Sequence, residues 1–238
     1  MRISNVSSHL AFTQLKMKNE YGVRVFEDFD CATKNNHSVQ LTDQLVNNEY
    51  VVSFFPQNSI KACAEELIVL DPERDYLHVA NMFTDVDFEK QGLGKSMHLM
   101  NILEMLENDI TSIQLNAIPT SIPFHVKMGF KPNGAWKYNV RPNLISVANS
   151  SDPEFSQFKL QAKNLLSNKT YYDYEKEILG NRIILKYAEK ANEIMPKSEL
   201  RKLFAEHMPM ELYKDDVIER KNFYNELFRQ QGIDYEIG

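Results

Sequence analysis

Along the first part of the chain, apolar and polar positions alternate in short runs. Residues 21–29 ("YGVRVFEDF"), 49–55 ("EYVVSFF"), 61–71 ("KACAEELIVLD"), 76–84 ("YLHVANMFT") and 112–117 ("SIQLNA") are rich in Val, Phe, Tyr and Ile, and they predict strands. The Pro and charges of "DPERD" predict a hairpin-like connection between the third and the fourth. Over 92–108 the period changes. Leu93, Met97, Met100, Leu103 and Leu106 recur at three- and four-residue steps, which predicts a helix. After "NSSDPEF" the strand signals stop. Asp152 suits a helix cap and Pro153 its first turn. Phe155, Phe158, Leu165 and Leu166 then form one apolar stripe, and Ile183, Ile184, Tyr187, Ala191 and Ile194 a second, ended by Pro196. Leu212, Val217, Phe223, Leu227 and Phe228 form a third, ended by Gly232. The pattern predicts an α/β domain over 1–150 and an all-helical C-terminal region over 151–238. Tyr171, Tyr172 and Tyr174 predict a half-buried aromatic cluster.

Composition narrows the classes. The 238 residues are 43% hydrophobic and 25% charged, ordinary for a globular protein with a sizeable core. A net charge of -6 argues against a broad nucleic-acid surface. No apolar run approaches the ~18 residues of a membrane span. The start, "MRISNVSSHLAF", lacks the apolar region of a secretory signal, so a cytoplasmic location is the expectation, with export by a machine reading other signals left open. Cys31 and Cys63 show no metal-ligand spacing and predict two buried thiols in a reducing compartment; no metal is expected.

The chemistry gathers at 89–100, "EKQGLGKSMHLM". Its Gly-Lys-Ser matches the end of a nucleotide-hydrolase phosphate loop. That loop needs a glycine five positions before Gly94, and Glu89 stands there, with a carboxylate where a polyphosphate would be wrapped. A second spacing fits better. Gln91-Gly92-Leu93-Gly94-Lys95-Ser96 reads as Q-x-x-G-x-small, after a strand and opening an amphipathic helix. This geometry aims several N–H groups and the positive helix end at one point, which suits a pyrophosphate. Gly94 places no Cβ in the way of a close approach.

About thirty residues on comes "SIPFHVKMGFKP", 121–132. Together the two motifs resemble the GNAT acetyltransferase family, whose second motif looks like A-I-x-F-Y-E-K-L-G-F. Ile122, Phe124, Lys127, Met128, Gly129 and Phe130 fall on matching or similar positions, and Ser121 stands for the Ala. The resemblance covers roughly 50–140. It implies a splayed central sheet with flanking helices and an acetyl-CoA site. By the same resemblance the main-chain amides of Leu93, Gly94, Lys95 and Ser96 hold the pyrophosphate, and the backbone of Thr84, Asp85 and Val86 pairs with the pantetheine arm. Lys95 either adds charge to a phosphate or lies along the helix surface.

The implied activity is acetyl transfer to an amine, on a small molecule or a protein. The family's tyrosine, commonly the acid for the departing thiolate, falls on His125. A histidine can donate a proton near neutral pH. For the base, alternation places Tyr76, His78, Ala80, Met82 and Thr84 on one face, which makes His78 a candidate. Glu65 and Glu66 point to opposite faces and are further candidates; a water chain is the remaining option. Asp85 and Asp87 flank the turn in a capping or solvated role. The histidine at the tyrosine position leaves room for a second reading, a non-catalytic CoA-binding or protein-interaction module. The C-terminal helices are expected to shape acceptor access, self-association or partner contacts.

Overall fold

The structure, a computed structural model, describes residues 17–20, 23–26, 29–32, 38–46, 49–56, 59–69, 74–231, 233 and 235–238, and before residue 51 the backbone alone. The expected thiol burial at Cys31, the 71–73 part of the "DPERD" connection and the Gly232 stop lie outside the described features. Two compact units emerge. One combines Met1–Ile113 with Tyr213–Gly238, and the other is Gln114–Leu212.

In the first unit, β1 (Met17–Glu20) pairs with β2 (Val23–Phe26) as a separate antiparallel ribbon. Five strands then run as an antiparallel meander: β3 (Phe29–Ala32), β4 (Ser38–Val46), β5 (Glu49–Pro56), β6 (Ala64–Val69) and β7 (Tyr76–Thr84). Helix α1 (Leu93–Glu107) packs on one face of β6 and β7. It buries more than the expected stripe, since Leu99, Ile102 and Met105 are also sealed. A helix apolar on most sides is one enclosed on most sides. The C-terminal segment supplies α7 (Lys214–Glu219) and α8 (Lys221–Gln230). Val217, Tyr224, Leu227 and Phe228 are buried, and the Tyr235 hydroxyl donates to Glu107 Oε1 at 2.8 Å on α1.

The expected single face along β7 does not hold. Leu67 pairs with Asn81 but Ile68 pairs with Val79, so Ala80 is an extra residue in β7, a bulge. A bulge reverses the alternation beyond it. Met82 and Thr84 lie opposite Glu66 and Ala64 on the face that α1 covers, whereas His78 lies opposite Val69 on the other face. One inserted residue is invisible to a period-two count.

The second unit holds β8 (Ser112–Ala117, from its third residue onward), α2 (Ile122–Lys127), β9 (Lys131–Pro132), α3 (Arg141–Ala148), α4 (Ser156–Ser167), α5 (Asp173–Ile194), α6 (Lys197–Leu200) and β10 (Met208–Tyr213, up to its fifth residue). The expected helices fill this region. Between them β10 runs antiparallel to β9, a strand the sequence reading did not mark. Glu211 of β10 is buried, and its two oxygens accept from Gln114 Nε2 (3.0 Å) and Asn133 Nδ2 (2.6 Å). Asp152 caps as expected, accepting from the Glu154 amide at 2.9 Å ahead of Pro153. Phe155, Leu165, Ile184, Tyr187 and Ala191 form the α4–α5 core. Ile194 is exposed instead, and so is the tyrosine cluster.

Candidate active site

The turn between β7 and α1 is built from short-range geometry. Asp85 caps a 3-10 turn, Val86–Phe88, through its carboxylate to the Asp87 amide at 3.3 Å. The same carboxylate pairs with Lys61 Nζ at 3.1 Å, which holds it below the usual range. The Asp85 amide donates to the Cys63 carbonyl at 2.7 Å, while the carbonyls of Asp85 and Val86 accept from Phe88 and Glu89. Asp85 and Val86 have therefore left strand geometry, and Thr84 is the last residue of β7 with a strand backbone.

Two of the next residues are left-handed: Lys90 at φ 62° and Gly92 at φ 99°. Glycine accepts this conformation freely; lysine there carries a strain of about 1 kcal/mol. The reversal delivers the chain directly into α1. Gly92 is the cap residue and has no side chain to offer the first turn. The Ser96 amide is already used, donating to the Gly92 carbonyl at 3.0 Å. The amides of Leu93, Gly94 and Lys95 are thus the first-turn donors that helix geometry leaves over. The glycine that the backbone requires is Gly92. Gly94, the second residue of α1, keeps the turn slim.

The flanking polar groups are buried. The Gln91 side chain, 3% exposed, donates from Nε2 to the Asp87 carbonyl at 2.8 Å and so fixes the turn from inside. Ser96 Oγ lies 3.2 Å from the Gly92 carbonyl and 3.0 Å from Gln231 Oε1, which ties the start of α1 to the end of α8. Sequence reading had no signal for Gln231, 135 residues away.

The catalytic candidates separate by face. Glu66 is fully buried beneath α1 and accepts from Asn101 Nδ2 at 2.6 Å; Oε2 has no partner among the described residues. Burial raises its pKa to about 8, so at pH 7 the carboxyl is mostly neutral. Glu65, on the other face, is half-buried and accepts from Ser53 Oγ at 3.1 Å. His78 shares that face, four residues along β6 from Glu65 by register. Its pKa is lowered by partial burial, and then by the nearby Arg74 charge, both of which favour the neutral imidazole.

His125 belongs to the second unit. It sits in α2, 6% exposed, with its ring 5.3 Å from Phe124 and 5.8 Å from Phe130. Burial pushes its pKa down to about 4. At neutral pH it holds no extra proton to give. Gly129, at φ 96°, ends this helix in the left-handed conformation and turns Phe130 into the core.

The chain is similar in structure to solved acetyltransferases. Tetrahymena GCN5 aligns at 11% identity and TM-score 0.36, over 71% of this chain and 69% of that one. A Bacillus subtilis acetyltransferase in complex with CoA aligns at 13% and 0.32, over 38% and 59%. The ribosomal-protein-S18-alanine N-acetyltransferase from Escherichia coli aligns at 17% and 0.34, over 40% and 61%. The chain spans about 60% of the length of the latter two. These TM-scores lie below 0.5, and the architecture described above stands on the chain's own strand order. No family model matches the chain, and no curated protein matches it.

Proposed function

We propose that the chain is an N-acyltransferase that moves an acetyl group from acetyl-CoA to an amine. The observation that carries this reading is the start of α1: a left-handed Gly92 at the cap, no capping side chain, and the amides of Leu93, Gly94 and Lys95 left over at a strand-to-helix turn. Such an array suits a diphosphate, because N–H donors and the helix dipole act on one anion. Mg-ATP fits the turn less well, with Glu89 in the position its loop would need for glycine. Pairing of a pantetheine arm falls on Thr84 and the residues before it, since Asp85 and Val86 have turned away.

Transfer needs a neutral amine, and an amine resembling lysine has a solution pKa of about 10.4. His78, neutral and half-exposed, is the group best placed to accept that proton, directly or through water. The nitrogen then attacks the thioester carbonyl, the C–S bond breaks and CoA leaves as a thiolate. Glu66 is sealed beneath α1 and suits a supporting role rather than contact with an acceptor. His125 lies in the other unit with its pKa lowered to about 4, and in this reading the thiolate takes its proton from solvent. The acceptor, a small molecule or a protein, is the open variable of this reading.

The test is CoA binding by the whole chain and by Gly94→Asp. An aspartate at the second helical position favours the helix dipole, so the fold holds or gains slightly. The same carboxylate faces the diphosphate and lowers CoA affinity by about a hundredfold, the scale of an unpaired like charge at a desolvated site. Equal CoA binding by the two proteins sinks the site. Thiol release with acetyl-CoA and an amine panel then separates the two functional readings. Binding without release on any acceptor selects the non-catalytic CoA-binding module.

A further inference from the structure

A concave surface lies wholly within the second unit, between α4 and α5. It encloses about 570 Å³, within the range of built ligand sites. Its floor is apolar, from Phe158, Leu165, Leu179 and Ile183. One wall carries Arg182 and Lys186; the other carries the carboxamides of Gln157, Gln161 and Asn164. No acidic side chain lines it. None of these five polar side chains has a hydrogen bond or ion pair among the described residues.

We propose that this groove docks an extended, acidic peptide segment of another protein. Spacing supports the match. Arg182 and Lys186 are one helical turn apart, about 6 Å along α5. Alternate residues of an extended chain are about 6.6 Å apart. Acidic side chains at every second position of a peptide therefore meet the two cations in turn. On the facing wall each carboxamide offers a donor and an acceptor, the complement of a peptide group. Gln157 and Asn164 are about 10.5 Å apart along α4, the length of about three extended residues. The intervening peptide side chains fall on the apolar floor, which rewards small aliphatic residues there.

The surface beyond the groove favours a macromolecular segment over a small solute. Tyr171 lines the groove, and the chain continues into Tyr172 and Tyr174, 72% and 61% exposed, with rings stacked at 6.1 Å and 10°. Ile178 and Leu160 are also exposed. Exposed tyrosines beside an arginine are the composition that dominates binding energy at protein interfaces. This proposal does not rest on acetyl transfer or on CoA binding.

Fluorescence anisotropy with the full chain tests it. The probes are a fluorescein-labelled array of nonapeptides with Glu at alternate positions and Val, Ala or Leu between, and the same array with Lys in place of Glu. Octanoate serves as a small anionic amphiphile. Acidic members are expected to bind, and their Lys counterparts about tenfold more weakly or not at all. Arg182→Glu combined with Lys186→Glu weakens the acidic peptides about tenfold or more and reverses the preference. Both side chains are exposed, and circular dichroism checks the fold; Lys186→Ala repeats the test with a smaller loss. The proposal is overturned if no acidic member binds, if charge reversal leaves binding unchanged, or if octanoate binds the groove and the peptides do not.

Discussion

Glu66 under α1 and His125 in α2 are buried titratable groups in different units, and burial acts on them in opposite directions. The carboxyl is raised to about 8 and the imidazole is lowered to about 4, each because the low-dielectric interior disfavours its charged form. At pH 7 the imidazole is neutral and the carboxyl mostly so. The pair teaches that a sealed polar residue near a candidate site is first an electrostatic cost carried by the fold. Its chemical use has to be argued from exposure and geometry. Glu66 and His125 are sealed from solvent, whereas His78 is half-exposed.

The largest test of the comparison is Glu66→Gln. The folded-state pKa of Glu66 is raised above its unfolded value of 4.5, so between about pH 4.5 and 8 the folded state binds the extra proton. Stability is therefore lost as pH rises through that window. Glutamine keeps the shape, and its oxygen can still accept from Asn101. The variant should be more stable than the parent above pH 8, by an amount of order a few kcal/mol, with the difference fading towards pH 5. Urea denaturation at pH 5 and 8.5 measures it. A parent whose stability is flat over this range, with no gain in the variant, would show that Glu66 is solvated.

His125→Phe tests the other half, with the opposite sign and a smaller size. The folded pKa is depressed, so between about 4 and 6.5 the unfolded state binds the extra proton. The parent loses stability as pH falls through that window, by about 3 kcal/mol for the full shift. The phenylalanine variant should lack this acid sensitivity. Acid titration of the folded fraction reads the difference. If thiol release at pH 7 is unchanged in the variant, His125 has no part in protonating the leaving group.

Residue patterns revealed the element types better than the faces they present. The strands β5, β6, β7 and β8, helix α1 and the Asp152 cap follow from periodicity and capping chemistry written locally. The bulge at Ala80 does not, because one extra residue inside an apolar run leaves composition unchanged while it moves His78 and Met82 to opposite faces. Strand β10 was hidden for another reason. "MPMELY" carries no β-branched residue, and its strand state depends on pairing with β9, at partners 78 and 80 residues away. At the candidate site the Q-x-x-G-x-S spacing marked the turn correctly. Yet it drew attention to Gly94, when Gly92 carries the left-handed backbone, and it gave no hint that Ser96 meets Gln231. Long-range partners of this kind leave no local trace. The α4–α5 groove has no motif at all, since its carboxamides and cations read as an ordinary solvated helix face until the two helices are placed together.

The smallest effect expected is also the control that separates packing from charge. Gly180 is buried in α5, and a Cβ there would clash with Val140 Cγ1 and lie 3.2 Å from Leu144 Cδ1. Gly180 has an ordinary helical backbone, so its reason for being glycine is this close approach. The contact also sits where α5 grips the preceding loop, with Asn181 Nδ2 donating to the Gly134 carbonyl at 2.9 Å and Glu177 Oε1 accepting from the Trp136 amide at 2.7 Å. Gly180→Ala gains helix propensity of up to about 1 kcal/mol. It must also push Val140 aside, which costs about 1–3 kcal/mol in a packed core. The expected net is a loss of about 1–2 kcal/mol, equal at pH 5 and pH 8.5 because no proton is linked to it. Thermal unfolding at both values reads it. A loss that changed with pH would mean that the substitution had disturbed a titrating group. A gain would mean that Val140 yields easily, and that α5 is held by its polar contacts with the loop rather than by close packing.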